Sequence, residues 1–157
     1  MNTVPLEIYL ARGYLRATVP MQHFNRVSDL LNNTPGQFLN VTISGVGEHA
    51  ITPRGSVVRL GDVHFVRPLE SESRVTAQTE HRERLPQRLV LELGDWRLVG
   101  NVHLIDSIRW IDFMSSVNDR FVPLTSSVFY QPGSDEPHEA GFVLVNGRRI
   151  SALYEDS

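Results

Sequence analysis

The sequence predicts a mainly β fold made of two tandem copies of one small, strongly bent sheet or barrel. Three observations predict it. The chain repeats itself: Arg26-x-x-Asp29, eight residues and Phe38-x-x-x-Thr42 recur as Arg109-x-x-Asp112, eight residues and Phe121-x-x-x-Thr125. One constant offset aligns the copies without a gap and also lays Leu15 on Leu98 and Val19 on Val102. A duplicated unit constrains architecture more firmly than any single motif. Many short apolar–polar alternations are bounded by Gly, Pro, Asn and Asp, as half-buried strands with tight turns require. Gly100 and its counterpart Ala17 fall in mid-strand, where a small residue permits a sharp bend.

The elements follow in order. Glu7 to Val19 reads as a bent strand or a pair of strands carrying Ile8, Leu10, Tyr14, Leu15 and Val19, ended by Pro20. Phe24 to Asn33 is a short helix with Val27, Leu30 and Leu31 at helical spacing, stopped by Asn32, Asn33, Thr34, Pro35 and Gly36. Phe38 to Ile43 alternates as a strand, Gly45 to Gly55 reads as a loop, and Val57 to Val66 reads as two short strands around the turn Leu60-Gly61-Asp62. The second unit repeats the plan. Leu89–Leu93 and Trp96–Leu104 are strands around Gly94-Asp95, Ile108–Val117 is a short helix, and Phe121–Tyr130 is a strand. Gln131–Ala140 is a polar loop, and Phe142–Val145 with Ile150–Tyr154 flank Asn146-Gly147, the strongest hairpin signal present. The first unit is expected over residues 1–70, a polar linker over 71–87 and the second unit over 88–157. Duplication implies equivalent surroundings for Phe38 and Phe121.

Composition narrows the function classes. With 157 residues, each unit is small and gains by packing on its twin or on a partner. There is no cysteine, which removes disulfides and thiolate metal sites. No signal-like N-terminus and no apolar run of bilayer length is present, so a cytoplasmic chain that does not itself span a membrane is expected. All 15 basic residues are arginine, and the net charge is −3. Residues 1–80 balance seven Arg against seven acids, and residues 81–157 set eight Arg against eleven. A polyanion binder leans the other way. The six histidines are scattered without metal-ligand spacing, and no nucleophile elbow, P-loop or dinucleotide fingerprint occurs, so no metal, cofactor or catalytic centre is expected.

Leu98-Val99-Gly100-Asn101-Val102-His103-Leu104-Ile105-Asp106 resembles the first motif of the Sm-like family, in which a bending Gly sits between apolar positions and an acid follows. Val57 to Val66 resembles the family's second motif, and Phe142 to Ile150 fills the same place in the second unit. The resemblance implies two tandem, strongly bent five-stranded Sm-like barrels, each with a short inserted helix, that join others through strand edges. Asp112-Phe113-Met114-Ser115 echoes the family's RNA-contacting loop, with Ser in place of Asn. Leu60 and Asn146 stand where the second motif has a basic residue before its Gly. The inserted helix also departs from the family, whose helix precedes the first strand. These departures point to a chain that keeps the barrel and loses the RNA site.

The candidate residues follow from these patterns. Arg109, Trp110, Phe113, Arg148 and Arg149 combine the aromatic and arginine character of protein interfaces, with Trp110 the leading contact. Arg26 and Asp29, with their repeat Arg109 and Asp112, lie three apart on a short helix and can pair. Arg26, Asp29, Gly61, Asp62, Asp112 and Gly147 are the candidates for a nucleic-acid or ligand contact. The expected function is a non-catalytic protein-interaction module, an accessory or scaffold subunit of a larger complex or a homo-oligomer, with a possible seat on the cytoplasmic face of a membrane assembly. The alternatives are an RNA-binding Sm-like protein and a small-molecule sensor with a pocket between its two units.

Overall fold

The structure, a computed structural model, describes residues 2–34, 37–70, 84–105 and 108–156. β1 (Thr3–Tyr9) and β2 (Tyr14–Pro20) form an antiparallel hairpin whose inward residues Leu6, Ile8, Ala17 and Val19 are buried. Helix α1 (Val27–Asn33) follows, packing Val27, Leu30 and Leu31 inward. β3 (Phe38–Val46) and β4 (His49–Arg59) make a second hairpin, and a 3-10 turn at Leu60–Asp62 leads into β5 (Phe65–Pro68). The second unit is β6 (Arg84–Leu93), β7 (Trp96–Ile105), α2 (Trp110–Val117), β8 (Phe121–Tyr130), β9 (Pro137–Asn146), a 3-10 turn at Gly147–Arg149, and β10 (Ala152–Glu155).

The duplication reaches down to residue register. β1 faces β2 with Leu6 opposite Ala17 and Ile8 opposite Leu15; β6 faces β7 with Leu89 opposite Gly100 and Leu91 opposite Leu98. Each pair is related by the offset of 83 positions that carries Arg26 to Arg109. Both units break register at the same place, next to Ala17 and next to Gly100. A Cβ on Gly100 would stand 2.7 Å from Leu124 Cγ, so close approach of β7 to β8 requires glycine there. Beyond β3 the offset becomes 87, with Arg59 opposite Phe38 and Asn146 opposite Phe121. The extra residues lie in the β8–β9 connection, which runs over 131–136 where the β3–β4 turn needs only 47–48.

The ten strands of the described residues join one antiparallel sheet in the order β10-β6-β7-β8-β9-β5-β1-β2-β3-β4. The expected pair of separate closed barrels is therefore corrected to a continuous sheet with β10 and β4 at its edges. Within it the first unit reads β5-β1-β2-β3-β4 and the second β10-β6-β7-β8-β9, the same order, and β5 against β9 is the joint between them. The apolar clusters exchange members. Phe121 and Leu144 of the second unit complete the first unit's core, and Tyr9 and Phe65 of the first complete the second's.

Several local expectations change. Val57–Val66 and Phe142–Tyr154 are not hairpins. In each, a 3-10 turn redirects the chain, so that β5 pairs with β1 and β10 with β6. Residues 45–55 are a hairpin, not a loop; Pro53 is tolerated because β4 is an edge strand that can lose a donor. Pro137 to Ala140 likewise belong to β9. Helices begin at Val27 and Trp110, later than expected, after extended residues Arg26 and Arg109. Of the expected linker, Arg84 to Gln87 are part of β6 and residues 71–83 lie outside the described residues. Phe38 and Phe121 share a register position but not an environment: Phe38 is 50% exposed and Phe121 only 5%. The joint covers one and leaves the other open.

Candidate functional site

The joint shows how one unit grips the next. Phe65 stands opposite Val145 and Val66 opposite Leu144. Two pairs make a short ladder, and side-chain amides extend it. Asn146, buried at the end of β9, donates through Nδ2 to Val63 O (2.8 Å) and Leu60 O (3.3 Å), while its backbone N–H donates to His64 O (3.0 Å). Asn32 of α1 donates to Phe121 O (3.0 Å) and accepts from Phe121 N–H (2.7 Å), acting as a strand neighbour to the start of β8. Arg149 crosses the joint, donating through Nε to Gly61 O (2.7 Å) and through Nη2 to Asp62 Oδ1 (2.9 Å). Arg67 Nε donates to Ala140 O (3.2 Å) and Trp96 Nε1 to Leu10 O (2.8 Å).

An aromatic cluster fills the seam behind these bonds. Tyr9 stacks on Phe65 with centroids 4.1 Å apart, and Trp96 meets Tyr9 edge-on at 5.4 Å. Burial, then the hydrogen bond its hydroxyl donates to Glu7 (2.8 Å), push the Tyr9 phenol far up from its usual range. His64 is buried at the same seam, beside the Gly94 turn. Burial lowers its imidazole pKa and nearby Arg149 lowers it further, against the opposing pull of its contact with Asp62 O.

The outer edges carry the same positions without the grip. On β4, Val58 and Val57 hold the places of Val145 and Leu144, and Arg59 that of Asn146. Val57 is 56% exposed whereas Leu144 is fully covered. Arg59 lies over the Phe38 ring at 4.6 Å. On β10, Ala152 and Leu153 hold the places of Phe65 and Val66.

A cleft of about 720 Å³ opens between the units at their hairpin tips, the place expected for an inter-unit pocket. Its lining brings together the β1–β2, β3–β4 and β6–β7 turns and the β8–β9 loop.

The sequence-predicted residues are dispersed over the fold. Gly61, Asp62 and Arg149 do meet, at the joint, where Arg149 donates to the other two. Arg26 with Asp29 (3.2 Å) and Arg109 with Asp112 (2.8 Å) form the same ion pair twice, at the start of each helix. Arg148 pairs with Asp119 at the surface (2.6 Å). Two of the candidates are packed inside. Phe113 is buried in the second core. Gly147 is a packing position: an added Cβ would collide with Val117 O, so only glycine fits there. Trp110 is half-buried against the second core, edge-on to Phe113 at 6.4 Å, and Ile111 beside it is exposed. Asn32 was not singled out in the sequence; the repeat aligns it with Ser115, which bonds Ile111 O within its own helix instead.

Among the described residues no group of three or more His, Asp or Glu side chains could hold a metal ion, and no helix is long and apolar enough to cross a membrane. Comparison with family models, curated proteins and solved structures found no match.

Proposed function

We propose that the chain is a non-catalytic assembly module, a tandem pair of divergent Sm-like units that docks through its outer strand edges as an accessory or scaffold subunit of a larger complex. One observation carries this reading: Phe38 and Val57 are exposed at the register positions where the joint covers Phe121 and Leu144. An edge strand with uncovered apolar residues is a template for pairing.

The partner chemistry nearest to hand is a further copy of the chain, head to tail. Transposing the joint's register by the repeat offset sets Ala152 opposite Val58 and Leu153 opposite Val57. Extended by three residues, it sets Asp156, which also pairs with Arg88 of its own chain, opposite Arg54 at the end of the ladder. The contact is heterologous, so successive copies close a ring or extend a filament. Sedimentation velocity tests it. Concentration-dependent association is expected for the parent chain and its loss in Val57→Lys, an exposed position that leaves the fold intact. A parent chain that stays monomeric at every concentration overturns self-docking.

The RNA-binding reading has less support. Arg26, Arg59, Arg67, Arg88, Arg97, Arg109, Arg148 and Arg149 are each paired with an acid. Phosphate contacts need guanidinium groups that acids have not already neutralised.

A further inference from the structure

We infer that the cleft between the two units binds a small organic cation, an ammonium or guanidinium held against aromatic rings and between carboxylates. The cleft is lined by no residue of the edge strands β4 or β10 and stands independently of the assembly reading. Its volume, about 720 Å³, falls within the range of small-ligand sites.

The floor is built. Glu7 Oε1 accepts from the Tyr9 hydroxyl (2.8 Å) and from Arg67 Nη1 (3.2 Å), and Arg67 is anchored in turn by Ala140 O. The Glu7 side chain is only 12% exposed, and among the described residues no donor reaches its Oε2. A half-buried ion pair adds little to stability once its desolvation is counted. Its position under an open cleft gives it another use, as a fixed acceptor.

The walls select the sign of the ligand. Tyr14, stacked on Tyr9 at 5.0 Å, and His138, stacked on Phe129 at 5.1 Å, line the opening and are only partly buried. The rings of Tyr9, Trp96 and Phe129 lie behind them. Aromatic faces attract organic cations. Glu48, Asp95 and Glu139 also line the cleft, each exposed and without an ion pair among the described residues. Arg67 is neutralised by Glu7; Arg12 lines the cleft and Arg16 stands beside it, bonded to Tyr14 and in the field of Glu48, so that three carboxylates face two arginines. An anion or a nucleic-acid strand meets net repulsion. Among the described residues a bare metal ion finds no convergent set of three His, Asp or Glu side chains, whereas a larger cation is matched by carboxylates spread around it.

Calorimetric titration of the full chain at low salt, with agmatine and with choline as probes, tests the inference. Saturable binding of at least one is expected, weakening as salt is added because the carboxylates are exposed. The double variant Glu48→Gln/Glu139→Gln should bind about two- to fivefold more weakly for each carboxylate removed. Glu136→Gln, in the β8–β9 loop but outside the cleft, should bind as the parent does. Absence of saturable binding for both probes overturns the inference, as does undiminished affinity in the double variant or tighter binding of inorganic phosphate.

Discussion

Replacing Asn146 by alanine should unlatch the joint. In the parent, Asn146 supplies the donor to Val63 O at 2.8 Å and shares Leu60 O at 3.3 Å, in a site only 5% exposed. Leu60 O keeps a second donor, the Val63 N–H at 3.1 Å, and Arg148 N, bonded to Asn146 Oδ1, belongs to an exposed residue that water can reach. The cost therefore centres on one buried carbonyl left without its short bond, about 1–3 kcal/mol, plus the small void where the amide stood. A loss of about 2–3 kcal/mol follows, a large part of the 5–15 kcal/mol typical of a domain. Asn146→Asp should cost at least as much, since it turns an acceptor toward two carbonyl oxygens. Urea unfolding followed by tryptophan fluorescence and by circular dichroism measures the effect, with the midpoint shifting at constant slope. A change below about 0.5 kcal/mol, the ordinary scatter of surface substitutions, would refute the argument that this amide closes the joint.

Three further outcomes follow from the same geometry. Gly100→Val should destabilise by about 1–3 kcal/mol through overpacking against Leu124, whereas Ala17→Gly at the equivalent position should cost less; the two urea midpoints decide it. Stability should decline with acid through His64. Its folded pKa is depressed, so the unfolded chain takes up the proton more readily; the contribution is complete above about pH 6.5 and is lost as pH falls below it. The parent's midpoint should therefore drop more between about pH 7.5 and 5 than that of His64→Gln, and equal drops would remove His64 from the account. Trp110→Ala should leave the chain folded but less stable by about 1–2 kcal/mol, because Trp110 is half-buried against the second core; thermal melting measures it, and an unchanged melting temperature would make Trp110 a surface residue only.

How much of this was legible before the structure depended on which residues carried the information. Duplication was legible because Arg26, Asp29, Phe38 and Thr42 recur at unchanged spacing; the registers and bulges match, but the equivalent surroundings expected of Phe38 and Phe121 do not hold. The role of Gly100 and Ala17 was legible because a small or absent side chain in mid-strand has few explanations. Strand pairing was not. Asn146-Gly147 carries the local chemistry of a two-residue turn, yet β10 crosses to β6, a choice made by tertiary contacts that no local pattern encodes. Pro53 and Gly55 suggested a loop, because an edge position, which tolerates both, is known only from the whole sheet. Asn32 and Asn146 looked like helix-stop and turn residues. Their bonds span 89 and 83 or more positions in sequence, beyond any local pattern.

The docking account is tested most directly by exchanging the charges at the two edges. Arg54→Asp alone and Asp156→Arg alone should each weaken concentration-dependent association in sedimentation equilibrium, and the two together should recover part of it: the salt link re-forms with its polarity reversed, while Arg88, which pairs with Asp156 in the parent, loses its partner. Association indifferent to all three variants, or a double variant no better than either single one, would contradict the transposed register and the head-to-tail contact built on it.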